Sequence, residues 1–283
     1  MRRTLGILLI FILFGAGIWW YREGKISPPI SGQAVRKPQL PGFTVLLVGL
    51  DKRPHDPTPR SDSIIAVRVD SEKKQIGALS IPRDTRVLQP DGVMGRINRV
   101  YFKWKIDGLL LAVNHLLGTA IERYIITDIA GLAQVVDALG GVTIYVEKDM
   151  YWRDDLGEIN LKKGWHRLNG QQAAGYARFR HDPQADIGRT RRQQKLLQAI
   201  WQEARKPQNL GRLPQVWLKI NQAVTSNLSW QEKSQLAEAF LTIEGYQVKT
   251  ATLPGRPAYI GGASYWLVER AAVEKSVKEI LGR

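Results

Sequence analysis

Residues 43–50 read FTVLLVGL, eight positions with no charge and no polar alternation. The run is short for a helix, and its lack of alternation suits a strand covered on both faces. Such a strand needs helices above and below it, which favours an alternation of strands and helices over a pure bundle or a pair of stacked sheets. Later segments agree. SIIAVRVD (63–70) and QIGALSI (75–81) read as two strands joined through the polar residues DSEKK (70–74), a hairpin. Residues 104–117 are expected to be helical and YIITD (124–128) a brief strand. IAGLAQVVDAL (129–139) reads as a helix closed by Gly140 and Gly141, followed by the strand VTIYVE (142–147).

Residues 148–164 read as a loop-rich stretch, followed by a short helix that Asn169 could cap. A long helix is expected from Asp186 to about Ala204, and another near 212–224. Ser229 and Glu232 form a capping box that opens a helix near 230–242. YQVKTATL (246–253) is a strand, and a last helix starts at about Val268. The expectation is an α/β fold, a three-layer sandwich with a mixed β-sheet flanked by helices. Residues 42–205 form its main domain, and residues 206–283 pack on that same domain.

The start of the chain narrows the possible partners. Residues 4–21 (TLGILLIFILFGAGIWWY) carry no charge. As a helix they reach about 27 Å, close to the roughly 30 Å of a bilayer core. Trp19, Trp20 and Tyr21 sit where an interfacial aromatic belt lies. A cleaved signal peptide is the competing reading, but aromatics occupy the place of the small residues that cleavage needs. An N-terminal transmembrane helix over 4–21 is therefore expected. Arg2 and Arg3 place residues 1–3 in the cytoplasm, although Arg22 and Lys25 weaken that vote, and residues 22–41 serve as a tether rich in Pro, Gly and Ser. The chain holds 41 Lys and Arg against 26 Asp and Glu, a net charge of +15 that points to a polyanionic partner. With the basic domain outside the cell membrane, nucleic acid is an unsuitable partner. Phosphorylated substrates and the membrane surface remain. The chain has no cysteine, which excludes disulfides, thiolate metal sites and cysteine nucleophiles.

Charged residues converge in two places. If the hairpin turn centres between Glu72 and Lys73, Asp62 faces Arg83 across the pair. If residues 43–50 run parallel to QIGALSI, Asp51 reaches the same sheet edge, and one rim carries Asp51, Arg60, Asp62 and Arg83. The second place is YARFRHDPQADIGRTRRQQ (176–194), with five arginines and no lysine. The planar guanidinium fork binds two phosphate oxygens at once. Crowded like charges also repel unless an anion lies among them. Extended backbone would put Arg178 and Arg180 on one side. In the following helix Arg189, Gln193, Leu196 or Leu197, and Ile200 fall on one stripe toward the domain, with Arg191 pointing away. Taken singly, each residue has a structural alternative: Asp186 an N-cap, Arg83 an ion pair with Asp84 or Asp62, the arginines exposed charges. Taken together they read as a pyrophosphate site.

The blocks LLVGLDKR (46–53), PRSDSIIAV (59–67), LSIPRDTRV (79–87), RIN (96–98), VVDALGGVTI (135–144), GWHRLNGQQAAGYARFRHD (164–182) and DIGRTRRQQ (186–194) resemble, in order and spacing, the LytR-CpsA-Psr family of membrane-anchored cell-wall enzymes. The one departure is Arg96, where many members have lysine. The resemblance implies a phosphotransferase that moves a glycopolymer from a polyprenyl-pyrophosphate carrier to peptidoglycan, with Mg²⁺ (or Mn²⁺) as cofactor. It implies metal binding by Asp51 and Asp62 and pyrophosphate binding by Arg60, Arg83, Arg178, Arg180, Arg189 and Gln193. Arg96 and Asp186 are further polar site residues, and Asp62 and Arg83 are the catalytic pair. The expected partners are the lipid-linked glycopolymer, the peptidoglycan acceptor and the membrane. Alternatives are a polyprenyl-pyrophosphate hydrolase and a non-catalytic envelope protein that binds anionic polymer or lipid.

Overall fold

The computed structural model describes residues 42–53, 56–154, 157–179, 185–204 and 206–282. The expected anchor and tether lie outside these residues. Among the described residues no helix is long and apolar enough to cross a membrane.

The centre is a six-stranded mixed sheet. It uses β1 (Phe43–Arg53), β2 (Asp56–Asp70) and β3 (Gln75–Ile81), joined by β6 (Arg123–Asp128), β11 (Val224–Ser226) and β12 (Gln247–Thr252), in the order β11-β6-β1-β2-β3-β12. β6 runs parallel to β1 and β12 parallel to β3, while β2 runs against both of its neighbours. Thus β1, β3, β6 and β12 all point their C-terminal ends toward one rim. Open α/β sheets bind ligands at such a rim.

The unbroken apolar run of β1 is divided between two cores. Val45 and Leu47 enter one cluster; Leu46, Val48 and Leu50 enter the other. This is the period-2 alternation of a strand with both faces covered. The first face is covered by α2 (Ile129–Ala138), α3 (Gly170–Arg178), α4 (Ala185–Ala204), α5 (Leu213–Ala223) and α6 (Trp230–Leu241), which contribute Val136, Tyr176, Leu196, Val216 and Leu236. The second is covered by α1 (Val100–Leu117) and α7 (Arg270–Ser276), which contribute Leu109, Val113 and Val273. The π-helical turn Val277–Leu281 lies so close to β3 that a Cβ on Gly77 would meet the carbonyl of Ile280.

Local signals set the helix ends. Gly118 closes α1 at φ 65°, a backbone that glycine adopts without a Cβ clash. Asn114 then accepts from the Ile121 N–H at 2.7 Å and donates to the Ile121 carbonyl at 2.9 Å, which turns the chain into β6. Asp128 caps α2 by accepting from Gly131 N–H, and Asn169 and Gln172 complete a capping box on α3. The expected box of Ser229 and Glu232 forms at α6, and Glu232 also takes Arg123 at 2.6 Å.

Several elements differ from the sequence reading. Residues 148–164 are not loop: they carry β8 (Met150–Asp154) and β9 (Gly157–Leu161), an antiparallel hairpin. Met150, Ile159 and Leu161 are buried while Arg153 and Glu158 pair outward at 2.7 Å, so the alternation was present but interrupted by turn residues. β10 (Gly164–Leu168) pairs with β7 (Val142–Val146). β4 (Arg86–Leu88) with β5 (Met94–Arg96), and β13 (Arg256–Ile260) with β14 (Ala263–Leu267), form two more hairpins absent from the sequence reading. α1 starts at Val100, four residues early, and is broken at Lys105, whose φ of 51° and ψ of −149° are non-helical.

Candidate active site

The hairpin register agrees with the sequence argument. Ile64 faces Ile81 and Asp70 faces Gln75, which places Arg83 beyond the end of β3 and beside Asp62. The two are joined by Arg83 Nη1 donating to Asp62 Oδ2 at 3.0 Å. A second device aims Asp62. Gly49 pairs with Ser63 but Leu50 with Ser61, so Asp62 is the extra residue of a β-bulge in β2. Bulges bend a strand and redirect a side chain, and they recur beside active sites. Asp51 sits opposite Arg60 in the same register, and Asp128 comes level with Leu50 at the end of β6. Asp51 is described only in its backbone.

Arg83 also lies 3.9 Å from Asp84, which takes Arg96 at 3.7 Å. Arg96 stands opposite Arg86 on the β4–β5 hairpin, and both guanidinium groups face the ring of Tyr265 from β14, at 5.7 and 5.9 Å. Behind them the 97–98 segment holds the main chain in place. Asn98 N–H donates to the Arg83 carbonyl at 3.2 Å and Ile97 N–H to Thr85 at 2.9 Å. Asn98 and Ser61 are both buried. Tyr265 and Asn98 were not singled out from the sequence.

The helices bring Arg178 and the opening of α4 toward the same end of the domain. α2 starts at the rim from Asp128 and carries Asp137 at its far end. Gly170 N–H, opening α3, donates to Asp137 at 2.7 Å. Since α3 packs along α2, its C-terminal Arg178 returns toward the rim. α4 then begins near the rim and departs: Arg192 reaches back to Phe179, while Glu203 at the other end takes Arg167, which also bonds the Gly140 carbonyl. Asp186 and Arg189 occupy the opening turns of α4, with their side chains outside the description. Arg180 lies outside the described residues. Gln193 is half-buried.

The stripe of α4 turned to the domain carries Leu196, Leu197 and Ile200 as expected, with Gln193 half-buried and Arg191 exposed, and among the described side chains it also takes in Gly188, Arg192, Ala199 and Glu203. Arg192 is 1% exposed. It donates to the Phe179 carbonyl at 2.6 Å and to Glu147 at 3.3 Å. Glu147 also accepts from Tyr176 Oη at 2.9 Å and from Lys195 at 3.1 Å. So one anion that relieves the arginine crowding is the protein's own. Burial pushes the Glu147 carboxyl up, but the Lys195, backbone and Tyr176 hydrogen bonds outweigh it and leave it below the ordinary carboxylate range. Burial first, then the Glu147 charge, pushes the Tyr176 hydroxyl well above its usual value. The knot clamps the C-terminal end of α3 to α4, on either side of Arg178. Nothing local in the sequence marks it, since Glu147 lies 45 residues before Arg192.

The sequence and the fold both have counterparts among known proteins. The model of the LytR_cpsA_psr family matches residues 25–281. The chain belongs to the LytR-CpsA-Psr family. It is 30% identical over 252 residues to the polyisoprenyl-teichoic acid–peptidoglycan teichoic acid transferase TagV of Bacillus subtilis, covering 84% of this chain and 64% of TagV. It is 34% identical over 219 residues to the regulatory protein MsrR of Staphylococcus aureus, covering 77% of this chain and 66% of MsrR. The chain thus spans slightly less than two thirds of the length of these relatives. The crystal structure of B. subtilis TagV superposes with a TM-score of 0.68 at 28% identity, over 86% of this chain and 96% of that one. TagT bound to LIIa-WTA superposes at 0.62 with 24% identity, over 92% of this chain and 98% of that one, a likeness of fold.

Proposed function

We propose that this LytR-CpsA-Psr protein is a membrane-anchored phosphotransferase with its domain outside the cytoplasmic membrane. It transfers a glycopolymer from a polyprenyl-pyrophosphate carrier to peptidoglycan. The acceptor sugar hydroxyl attacks the phosphorus attached to the glycopolymer, a phosphodiester forms, the P–O–P bridge breaks, and polyprenyl phosphate leaves. The observation that carries the reading is the pairing of Asp62, on its bulge, with Arg83 at the rim where Arg96 and Asp84 also meet. Likeness to TagV supports the same class of reaction.

Phosphoryl transfer depends chiefly on positioning and on neutralising developing charge. Arg83 and Arg60, with Arg178, Arg180 and Arg189 from the helical side, would bind the pyrophosphate oxygens. Gln193 and Asp186 would complete the polar wall. Asp62, held by Arg83, would accept the proton of the attacking hydroxyl. The donor set suits Mg²⁺ or Mn²⁺. Asp51 and Asp62, on adjoining strands, would offer two hard carboxylate donors, the ligand type these ions prefer. When bound, the ion supplies positive charge against the pyrophosphate. Asp51 and Asp62 would hold it, with substrate oxygens and water filling the remaining positions.

The test is product analysis with full-length protein, a lipid-pyrophosphate-linked glycan and Mg²⁺. Release of polyprenyl phosphate that requires the peptidoglycan acceptor supports transfer. Release at the same rate without acceptor replaces it with hydrolysis, and no release under either condition leaves only binding.

A further inference from the structure

The β4–β5 hairpin leaves the rim over the α1 face, where Leu88 and Met94 line a cavity with His115, Leu116 and Val268. Its base pair is Arg86 and Arg96, beside Asp84; its tip carries Leu88, Val93 and Met94, all exposed, with Val93 60% so. The opening of α1 lies against this tip. Lys103 reaches Asp91 on the hairpin turn at 3.8 Å, and a Cβ on Gly108 would touch Pro90. On this face apolar and cationic side chains alternate. Phe102 and Leu111 are exposed, Lys103 lies 5.0 Å over the Trp104 ring, and Lys105 lies 6.0 Å over the Phe102 ring. Lys105 takes its strained backbone here, at the junction between the tip-facing turn and the rest of α1. Strain of this kind costs about 1–3 kcal/mol and persists where the surroundings hold it, often at functional surfaces. Arg99 adds a third exposed cation, and Asp91 and Asp107 are the exposed acids, the former engaged by Lys103.

The topology leaves a task for such a surface. The described chain enters the sheet at Phe43, the end of β1 opposite the rim. Residues 22–41 are twenty in number, with a maximal reach of about 70 Å. A link of that length at that end does not fix which way the rim faces. An apolar tip flanked by lysines and aromatic rings matches the chemistry of a bilayer interface, where aromatic rings sit at headgroup level and cations meet anionic lipid.

We propose that the tip of the β4–β5 hairpin and the opening turn of α1 form a docking surface for a phospholipid bilayer, which fixes how the domain lies on the membrane. Interfacial elements bury their apolar face by about 5–10 Å.

Because the chain has no cysteine, a single introduced thiol reports one position. Full-length Val93→Cys, carrying a polarity-sensitive fluorophore, is reconstituted in phosphatidylcholine–phosphatidylglycerol vesicles. Phe102→Cys is the second probe, and Trp165→Cys, exposed on β10 on the other side of the sheet, is the reference. The expected result is blue-shifted emission at 93 and 102, quenching by a shallow lipid-borne nitroxide, and iodide quenching about threefold or more weaker than at 165. In the Val93→Cys background, Lys103→Glu is expected to restore part of the iodide access. Iodide access at 93 and 102 equal to that at 165, or nitroxide quenching that does not distinguish the sites, overturns the proposal. The readout is position alone, so it is independent of whether transfer occurs.

Discussion

Replacing Glu147 by glutamine keeps its shape and its bond from Tyr176 but removes the charge that faces Arg192 and Lys195. Lys195 is 38% exposed and can turn to water; Arg192, at 1%, cannot. Removing one member of a fully buried ion pair costs about 3–5 kcal/mol because the other charge is left uncompensated. Here Glu147 is 30% exposed, and Arg192 keeps the Phe179 carbonyl and the face of its ring at 5.3 Å. The expected loss is therefore about 2–3 kcal/mol, a fall in Tm of roughly 5–10 °C for a domain of this size. Differential scanning calorimetry measures it, with Lys195→Gln as a surface control expected to cost about 0.5 kcal/mol or less. The sign of the pH effect follows from Glu147 titrating below its ordinary range. A depressed folded pKa contributes stability above the unfolded value, near 4.3, that is lost as pH falls through the folded value. The gap between the parent protein and Glu147→Gln should be constant at about pH 6–8 and close below about pH 4. A Tm difference under about 2 °C at neutral pH, or one that widens in acid, would refute the reasoning.

Other outcomes follow from the same contacts. Arg83→Ala should lower transfer by about 10²-fold or more and stability by only about 1 kcal/mol or less, since Arg83 is a third exposed; product assay and calorimetry separate the two. Arg83→Lys retains the charge without the fork and should recover only part of the activity. Asp128→Ala removes the cap of α2 and should cost about 1 kcal/mol in denaturant unfolding, whereas Asp128→Asn should cost little. Gly77→Ala drives a Cβ into the Ile280 carbonyl and should cost about 1–3 kcal/mol. Chelation by EDTA should stop transfer and leave the melting temperature of the substrate-free protein nearly unchanged.

The sheet was legible because its strands carry their own evidence. Residues 43–50 lack polar alternation, and the hairpin around Glu72 and Lys73 fixes a register by counting, so the meeting of Asp62 and Arg83 could be derived before any coordinates. The bulge could not, because nothing in the string PRSDSII distinguishes a bulged aspartate from a paired one. The short hairpins escaped for a related reason: three residues in β4 and three in β5 are too few to show a period. On α4 the burial of Arg192 was not legible. A stripe is chosen by what is greasy or what is wanted at a site, and Arg192 is buried for neither reason. It is buried because Glu147, 45 residues earlier, arrives to meet it, and such distant compensation has no local signature.

The outer strands of the main sheet are also its latest parts. Gln75 on β3 and Gln247 on β12 touch across 172 residues of chain, and β6 likewise waits for β11. At about 5–20 residues per second of synthesis, the exposed flank of β3 would stand open for roughly 10–35 s. During that interval it offers unsatisfied amides to any neighbouring nascent chain. Crowded production of this protein should therefore favour misassembly through β3 rather than through its highly charged rim, and early supply of residues 246–253 in trans is the natural way to suppress it.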